Sequence, residues 1–466
     1  MVKFAVVYGE LSSSVKNKAI ELLSRFLLDY TGEYPSCFRY GEEAVCPGYT
    51  CIYIGTKADN RYIRDHSEAD LSKAEEYAIS VKGGRVIIEG FDNSGLLYGC
   101  IDFYNKYILK FEFPHDPDRF CVNFFENELP DFEYSSSPSV KDRGLWSWGH
   151  VIYDYKSFID HMLLLKMNTL IIWNDFVPVN AEEVVKYAKD SGIKVIWGFA
   201  WGWDIDCNQF SFDDLESKSR EILHKYQNEY ASLGVAGIYF QSFTELRTEK
   251  IGGVLIAKAV TDFVNATARL FYEMYPDIEL QFGLHATSVK DRLEYIKNVD
   301  SRIRIIWEDC GAFPFSYLPS DLDEFYATLE FACATANLRG REDRYGIVTK
   351  GFTKLDWSEF KHIGGPFFMG TGSEYYKNGR IARKSKIWKY LQAFWLTNAD
   401  KAYEMLKAVC NAKDGDLCIT ALVEDGMFEE NILFPVALYA EMLWNCESDH
   451  KTLINEVALR NYITFA

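Results

Sequence analysis

The stretch Gly237-Ile-Tyr-Phe-Gln-Ser-Phe-Thr-Glu245 is a short apolar strand that ends abruptly in a carboxylate. It lies in a region that alternates strand and helix patterns and places a tryptophan or an acid after many strands. Apolar strands that alternate with helices predict a parallel sheet, and eight such units predict a closed (β/α)8 barrel. The carboxyl ends of barrel strands form the face that carries active sites. The stretch therefore predicts an α/β barrel with Glu245 on its active face.

The barrel is predicted to occupy residues 140–380, where eight strand patterns occur. They are Arg143–Trp148, Thr169–Trp173, Lys194–Phe199, Ala236–Phe240, Glu279–Leu284, Arg302–Trp307, Gly346–Thr349 and Phe367–Met369. Helical patterns separate most of them. No glycine-rich phosphate fingerprint opens any of these helices, which disfavours a dinucleotide-binding fold.

Two flanking regions have different patterns. Residues 1–130 predict a small α/β domain with two helices on a mostly antiparallel sheet, in which Lys82-Gly83-Gly84 forms a hairpin turn. A serine-containing stretch from Pro130 to Pro138 predicts a linker. Residues 381–466 are almost wholly helical in pattern, which predicts the last barrel helix and a helical C-terminal region. These helices could form a homodimer interface or simply cap the barrel.

The composition excludes several classes of protein. The 466 residues carry a formal net charge of −18, which argues against binding to nucleic acid or to anionic membrane surfaces. No apolar run is long enough to cross a bilayer, and the N-terminus is too short and strand-like for a signal peptide. The 11 cysteines lack metal-ligand spacing. We therefore expect a cytoplasmic protein with neither a metal nor another cofactor.

Tryptophans and polar residues cluster after the predicted strands. Eight of the 11 tryptophans lie between residues 146 and 357, nearly all at strand ends. Packing under long loops explains about half of them, but packing does not require the Asn, Asp and His residues beside them. Aromatic faces with polar neighbours are typical of a sugar-binding cleft. The residues predicted to contact substrate are Trp148, His150, Trp173, Asp175, Trp203, Gln241, His285, Trp307 and Trp357.

Glycoside hydrolysis needs a proton donor for the leaving oxygen and a second carboxyl group near the anomeric carbon. Glu245 is the predicted acid. The adjacent pair Glu308 and Asp309 ends another strand, and only one of them can face the site because strand neighbours point to opposite sides. We prefer Asp309 slightly. The remaining candidates are Asp175, Asp204, Asp356 and Glu374.

Several motifs resemble glycoside hydrolase family 20, the β-N-acetylhexosaminidases. Asp142-Arg143-Gly144-Leu145 resembles the Arg-Gly strand that opens that barrel, and Lys166-Met-Asn168-Thr-Leu resembles its helix-to-strand passage. The stretch Glu183–Ile196 also matches. The glycine-flanked segments Gly84–Gly90 and Gly95–Gly99 resemble the non-catalytic domain that precedes the barrel in families 20 and 67. The resemblance covers roughly the first 250 residues.

The resemblance implies that Arg143 grips hydroxyls of the terminal sugar and that Glu245 is the general acid. It also reveals one departure, because family 20 places an Asp before this Glu to orient the substrate acetamide, and here the residue is Thr244. Thr-Glu is closer to the inverting α-glucuronidases of family 67. We expect a glycosidase that acts on the end of an oligosaccharide. The alternatives are a hexosaminidase with its orienting acid elsewhere, an inverting α-glucuronidase-like enzyme, and an inactive carbohydrate-binding protein.

Overall fold

The computed structural model describes residues 3–9, 13–42, 48–109, 129–200, 211, 214–241, 244, 246, 248–286, 289–310, 325–352, 365–371, 374–423 and 434–460. The chain divides into two compact units. The first comprises Met1–Pro138 together with Asp190–Gly192 and Ala458–Ala466, and the second comprises Ser139–Lys189 and Ile193–Val457.

Within its described residues, the first unit contains a six-stranded sheet and three α-helices. Its elements are β1 (Lys3–Tyr8), α1 (Ser14–Thr31), β2 (Ser36–Arg39), β3 (Tyr49–Gly55), α2 (Arg61–His66), β4 (Tyr77–Lys82), β5 (Arg85–Gly90), α3 (Asn93–Asp102), which continues as a π-helical turn over Phe103–Ile108, and β6 (Phe132–Ser136). The strand order is β2-β1-β3-β5-β4-β6. The first four strands of that order pair in parallel and only β4 pairs antiparallel with β5 and β6. The prediction of a mostly antiparallel sheet is therefore wrong, because the helical connections return the chain in parallel.

Strand β6 lies inside the stretch that the serines predicted to be a linker. Phe132, Tyr134 and Ser136 are half-buried there and pair against β4, while Glu133 is exposed. The alternation of a strand was present, but the serines obscured it. The hairpin between β4 and β5 is confirmed. Gly83 and Gly84 have φ angles of 54° and 76°, which suit glycine in a two-residue turn.

The second unit is a closed barrel of eight parallel strands, which confirms the predicted fold class. Its strands, with a short hairpin between the fourth and fifth, are β7 (Asp142–Trp148), β8 (Thr169–Trp173), β9 (Lys194–Ala200), β10 (Gly237–Gln241), the hairpin β11 (Lys250–Ile251) and β12 (Val254–Leu255), β13 (Glu279–Leu284), β14 (Arg304–Cys310), β15 (Tyr345–Phe352) and β16 (Leu417–Val423). The helices are α4 (Tyr155–Leu164), α5 (Ala181–Asp190), α6 (Leu215–Glu229), α7 (Ile256–Met274), α8 (Leu293–Ile296), α9 (Phe325–Ala336), α10 (Glu374–Asn411), α11 (Phe434–Trp444) and α12 (His450–Arg460). Within the described ranges, no helix has the length and apolar character needed to span a bilayer.

The eighth barrel strand corrects the predicted boundary at residue 380. The predicted strand Phe367–Met369 is a loop. In it, the backbone N–H and the carbonyl of Met369 both form hydrogen bonds with the side chain of Asn180. The true eighth strand, β16, pairs with β15 and β7 and closes the barrel. All seven of its residues are buried. The barrel thus extends at least to Val423, and the C-terminal region is not wholly helical. A short apolar run between long helices does not reveal by itself whether it is strand or helix.

Charged side chains fill the amino end of the barrel interior. Arg304 is fully buried and contacts Asp142 and Asp416 at 2.6 Å and Glu279 at 3.2 Å, while Lys194 contacts Asp142 and Glu279 at 2.9 Å. Burial opposes ionisation of Glu279, but Arg304 and Lys194 outweigh it and lower its pKa to about 2. Buried charges are tolerated when they are paired in this way. The ionic cluster therefore closes the amino end of the barrel.

Candidate functional site at the carboxyl ends of the barrel strands

The inner wall of the barrel is aromatic at its first two strands. Trp146 and Trp148 on β7 pack edge to face with their ring centroids 4.9 Å apart, and Trp173 ends β8. All three belong to the buried interior cluster of the barrel. Gly198 on β9 makes room for Trp173, since a Cβ at this glycine would lie 2.6 Å from Cδ1 of the indole. The structure thus brings the predicted residues Trp148 and Trp173 together on the inner wall.

Glu308 is the carboxylate that the structure places inside the barrel. Only 4% of its surface is exposed, and its Oε2 accepts a 2.6 Å hydrogen bond from the Tyr239 hydroxyl. This bond passes over Gly283 on the intervening strand β13. A Cβ at Gly283 would lie 2.4 Å from the tyrosine oxygen and 2.7 Å from Oε2. Three strands, β10, β13 and β14, therefore cooperate to hold one buried carboxylate in place.

His285 approaches the other oxygen of this carboxylate. Its Nε2 lies 3.7 Å from Glu308 Oε1, and its ring is almost fully buried. The backbone N–H of His285 donates to Oγ1 of Thr244 at 3.1 Å. Thr244 is fully buried and ties the segment after β10 to His285. In this chain the position before Glu245 thus supports the backbone at the site.

The residues after β7 and β8 form a polar group beside the tryptophans. His150 lies in a 3-10 turn, and its Nδ1 is 3.4 Å from Oδ1 of Asn174. Asn174 in turn donates from its backbone to the Gly198 carbonyl. The carbonyl of Asp175 accepts a hydrogen bond from Lys225 on α6. His150 and Asn174 are therefore held together at the ends of β7 and β8, whereas Asp175 lies beside a helix of the outer layer.

Two residues that were predicted to contact substrate have side chains that point away from the barrel interior. Trp307 is fully buried against Phe331 of α9, with ring centroids 4.8 Å apart. Arg143 lies near the amino end of β7, opposite to the candidate site. Its Nη1 donates to the carbonyls of Val140 and Lys141, and its guanidinium lies over the Trp444 ring at 4.8 Å. In both cases the alternation of the strand sends the side chain to the helical layer.

Several predicted site residues lie outside the described residues. They are Glu245, Trp203 and Trp357, together with Asp204 and Asp356. The backbones of three others, Gln241, Asp309 and Glu374, form the end of β10, part of β14 and the start of α10. Within the described part of the chain, no group of three or more His, Cys, Asp or Glu side chains could hold a metal ion.

Two residues that shape the candidate site, Tyr239 and Gly283, were not among the predicted site residues. Both lie inside predicted strands, where the period of two decides which side chains face inward. The same period of two could have chosen between the adjacent acids. A bulky apolar Trp307 facing the helices requires Glu308 to face inward.

Comparisons with known proteins agree on the architecture. No protein-family model matches the sequence, and a search of curated proteins gave no significant match. Among solved structures, the chain is similar to CpGH84B, with a TM-score of 0.58, 12% identity and coverage of 98% of this chain and 70% of that one. It is also similar to a protein described as a family GH115 4-O-methyl-α-glucuronidase (TM-score 0.57, 15% identity, 98% and 59% coverage), and to one described as a GH138 enzyme targeting pectin rhamnogalacturonan II (0.55, 13%, 97% and 65%). At these identities the likeness establishes the fold, a (β/α)8 barrel preceded by a small α/β sheet unit.

Proposed function

We propose that the protein is a glycoside hydrolase that removes a terminal sugar from an oligosaccharide or another glycoside. The observation that carries this proposal is the buried Glu308 carboxylate, which is held by Tyr239 at the carboxyl end of a barrel strand. A carboxylate buried at this end of a barrel is an expensive feature, and barrel enzymes build their active sites there. Among the solved structures named above, one is described as a 4-O-methyl-α-glucuronidase and another as an enzyme targeting a pectin, and these descriptions support the same class.

Glu308 takes the role of the second carboxyl group, which attacks the anomeric carbon or activates water. The general acid is Glu245, which follows β10, the strand that carries Tyr239. The indoles of Trp148 and Trp173 offer apolar faces to the C–H groups of a sugar ring. Tyr239 fixes the Glu308 carboxylate by donating to one oxygen, which leaves the other oxygen toward His285. In this assignment Glu308 replaces Asp309, the residue that the sequence slightly favoured.

Thr244 bears on the reaction type. In family 20 the residue before the general acid orients the substrate acetamide, which then acts as the nucleophile. The Thr244 hydroxyl accepts the backbone N–H of His285 and carries no charge. A second protein carboxylate is therefore more necessary here than in a hexosaminidase. This supports a reaction in which Glu308 itself acts, either by retention or by inversion as in an α-glucuronidase-like enzyme.

The test is hydrolysis of a panel of nitrophenyl glycosides that includes N-acetylhexosaminides and glucuronides. On whichever substrate the wild type cleaves, Glu308→Gln should lower turnover by about 10²-fold or more, the scale of one acid or base group. The exposed Glu330→Gln on α9, the helix that follows the same strand, is the matched control and should retain full activity. Circular dichroism and Tm confirm that both variants fold. Near wild-type turnover in a folded Glu308→Gln variant would remove Glu308 from the mechanism.

Glu245→Gln tests the other half of the assignment. Loss should be large on substrates with poor leaving groups and smaller on dinitrophenyl glycosides, because an activated leaving group needs little protonation. Equal loss on both kinds of substrate would mean that Glu245 is not the acid. A wild-type protein that binds sugars but cleaves no member of the panel would instead identify the inactive carbohydrate-binding protein.

A further inference from the structure

The last straight segment of α10 packs against the turn that follows α11. Helix α10 is kinked at Asn398, and beyond the kink Tyr403, Lys407 and Cys410 follow one another at helical spacing on one face. Tyr403 meets the His450 ring with centroids 5.9 Å apart, and Lys407 Nζ lies 3.1 Å from Glu447. These two partners come in the reverse order along the chain, since the later helix residue, Lys407, meets the earlier partner, Glu447. Cys410 is the next residue on this face of the helix. It is thereby brought close to Cys446, the residue before Glu447.

The two thiols of this contact interact directly. A side-chain hydrogen bond joins Cys410 and Cys446. Cys446 is held further by its backbone N–H, which donates to Oγ of Ser139 at 3.2 Å. Cys410 is half-buried, and Cys446 is buried. The pair lies in the barrel unit but far along the chain from every residue assigned to the site.

We propose that Cys410 and Cys446 form a reversible disulfide, a modification site that locks the C-terminal part of the barrel. The bond would close a loop that contains β16, the eighth barrel strand, and α11. The Ser139–Trp444 and Val140–Leu443 backbone hydrogen bonds already tie the end of that loop to the residues that lead into β7. The bond would therefore fasten the strand that closes the barrel without touching the carboxyl-end site.

The chemistry requires an oxidant, and a low-molecular-weight disulfide such as oxidised glutathione suffices. The hydrogen bond from the Cys410 thiol, aided by Ser139, lowers the pKa of Cys446 to about 7 against opposing burial. One protein thiolate attacks the small disulfide and releases one small thiolate. The second protein sulfur, after losing its proton to solvent, displaces the other small thiol and completes the protein disulfide. The protein loses two thiol hydrogens and the oxidant becomes two thiols.

The experiment compares reduced and oxidised full-length protein. The reduced protein is incubated with oxidised glutathione near pH 7.5, free thiols are alkylated, and a non-reducing digest is analysed by mass spectrometry. We expect a cross-linked peptide pair that contains Cys410 and Cys446 and disappears on reduction. Closing this loop should raise Tm by about 3–6 °C, the effect of a typical disulfide in a domain of this size.

The variants make the result specific. Cys410→Ser and Cys446→Ser should each lose the cross-link and the Tm difference, whereas Cys333→Ser, a half-buried cysteine on α9, should keep both. The proposal fails if the wild type carries separate glutathione adducts on the two cysteines, or if Cys446 pairs with another cysteine. It also fails if the folded protein stays fully reduced. Because the wild type alone decides these outcomes, poor folding of a serine variant does not affect the test.

Discussion

Replacing Gly283 by alanine should disturb the candidate site through a single methyl group. Gly283 lies on β13 between the strands that carry Tyr239 and Glu308, directly beneath their hydrogen bond. An added Cβ would lie 2.4 Å from the tyrosine oxygen and 2.7 Å from Glu308 Oε2. Non-bonded carbon and oxygen atoms do not approach so closely, so one of the two side chains must move. Both are fully enclosed and have little room to do so.

The size of the effect follows from the bond that is lost. A hydrogen bond to a charged group contributes about 1.5–3 kcal/mol, and its buried partner then also lacks a donor. We therefore expect Gly283→Ala to lower the free energy of unfolding by about 2–3 kcal/mol. Under the proposed function it should also lower turnover, because Glu308 would leave its position. Gly415→Ala is the matched control, since an added Cβ there meets no atom within 4 Å, and it should change neither quantity.

A double-mutant cycle in urea, with turnover measured in parallel, tests the geometry. Tyr239→Phe removes the nearest of the three atoms that the new methyl group meets, the tyrosine oxygen at 2.4 Å, together with the hydrogen bond that the methyl group would break. The cost of Gly283→Ala should therefore fall by about 1 kcal/mol or more in the Tyr239→Phe background, a coupling typical of residues in contact. Strict additivity of the two changes would refute the reasoning. So would a Gly283→Ala protein with wild-type stability and wild-type turnover.

Three further predictions follow from the described contacts. Trp307→Ala should cost about 3–5 kcal/mol of stability in a denaturant titration, because the indole is core against Phe331; a stable variant with weaker sugar binding would return Trp307 to the site. Arg143→Met should lower Tm through loss of its contact with Trp444 and leave KM unchanged, and a raised KM with unchanged Tm would contradict that placement. Glu279 has a folded pKa of about 2 against an ordinary 4.5, so its stabilisation is complete above pH 4.5 and is lost as pH falls from 4.5 toward 2. The difference corresponds to about 3 kcal/mol, and a urea midpoint that does not fall over this range would contradict it.

The fold could be predicted from the sequence because strands and helices differ in hydrophobic period. Strands such as Thr169–Trp173 and Glu279–Leu284 are bounded apolar runs, and the structure has them with those bounds. The eighth strand could not be placed in this way. Leu417–Val423 is as apolar as the others, but it follows the long helix α10, and only closure of the barrel selects it over Phe367–Met369. That closure is a property of the whole sheet.

The site was predicted less well. The end of a strand shows at which end of the barrel a residue lies, but not whether its side chain points inward or toward the helices. Trp307, Glu308 and Asp309 all follow an apolar run, and their residue types suggested three site residues. A strand can turn only alternate side chains inward, and here Trp307 meets α9 while Glu308 meets Tyr239. Tyr239, the partner of Glu308, lies on a strand that is far away in the sequence, so no local pattern could identify it. If the orientation of one residue in the strand were known, the period of two would give the orientation of the others.

The inward-facing side chains of strand β14 connect the ionic cluster at the amino end of the barrel with the candidate carboxylate at the carboxyl end. Arg304, Ile306 and Glu308 alternate along it, so the buried ionic cluster, the apolar layer and the candidate carboxylate follow one another from the amino to the carboxyl end. A one-residue slip of the strand would bury Ile305 in the ionic cluster, turn Trp307 inward and expose Glu308 to the helices. The contacts of Arg304 with Asp142 and Glu279 therefore do more than close the barrel. They fix the register that directs Glu308 at Tyr239, which links the charge pairs at one end of the barrel to the chemistry proposed at the other.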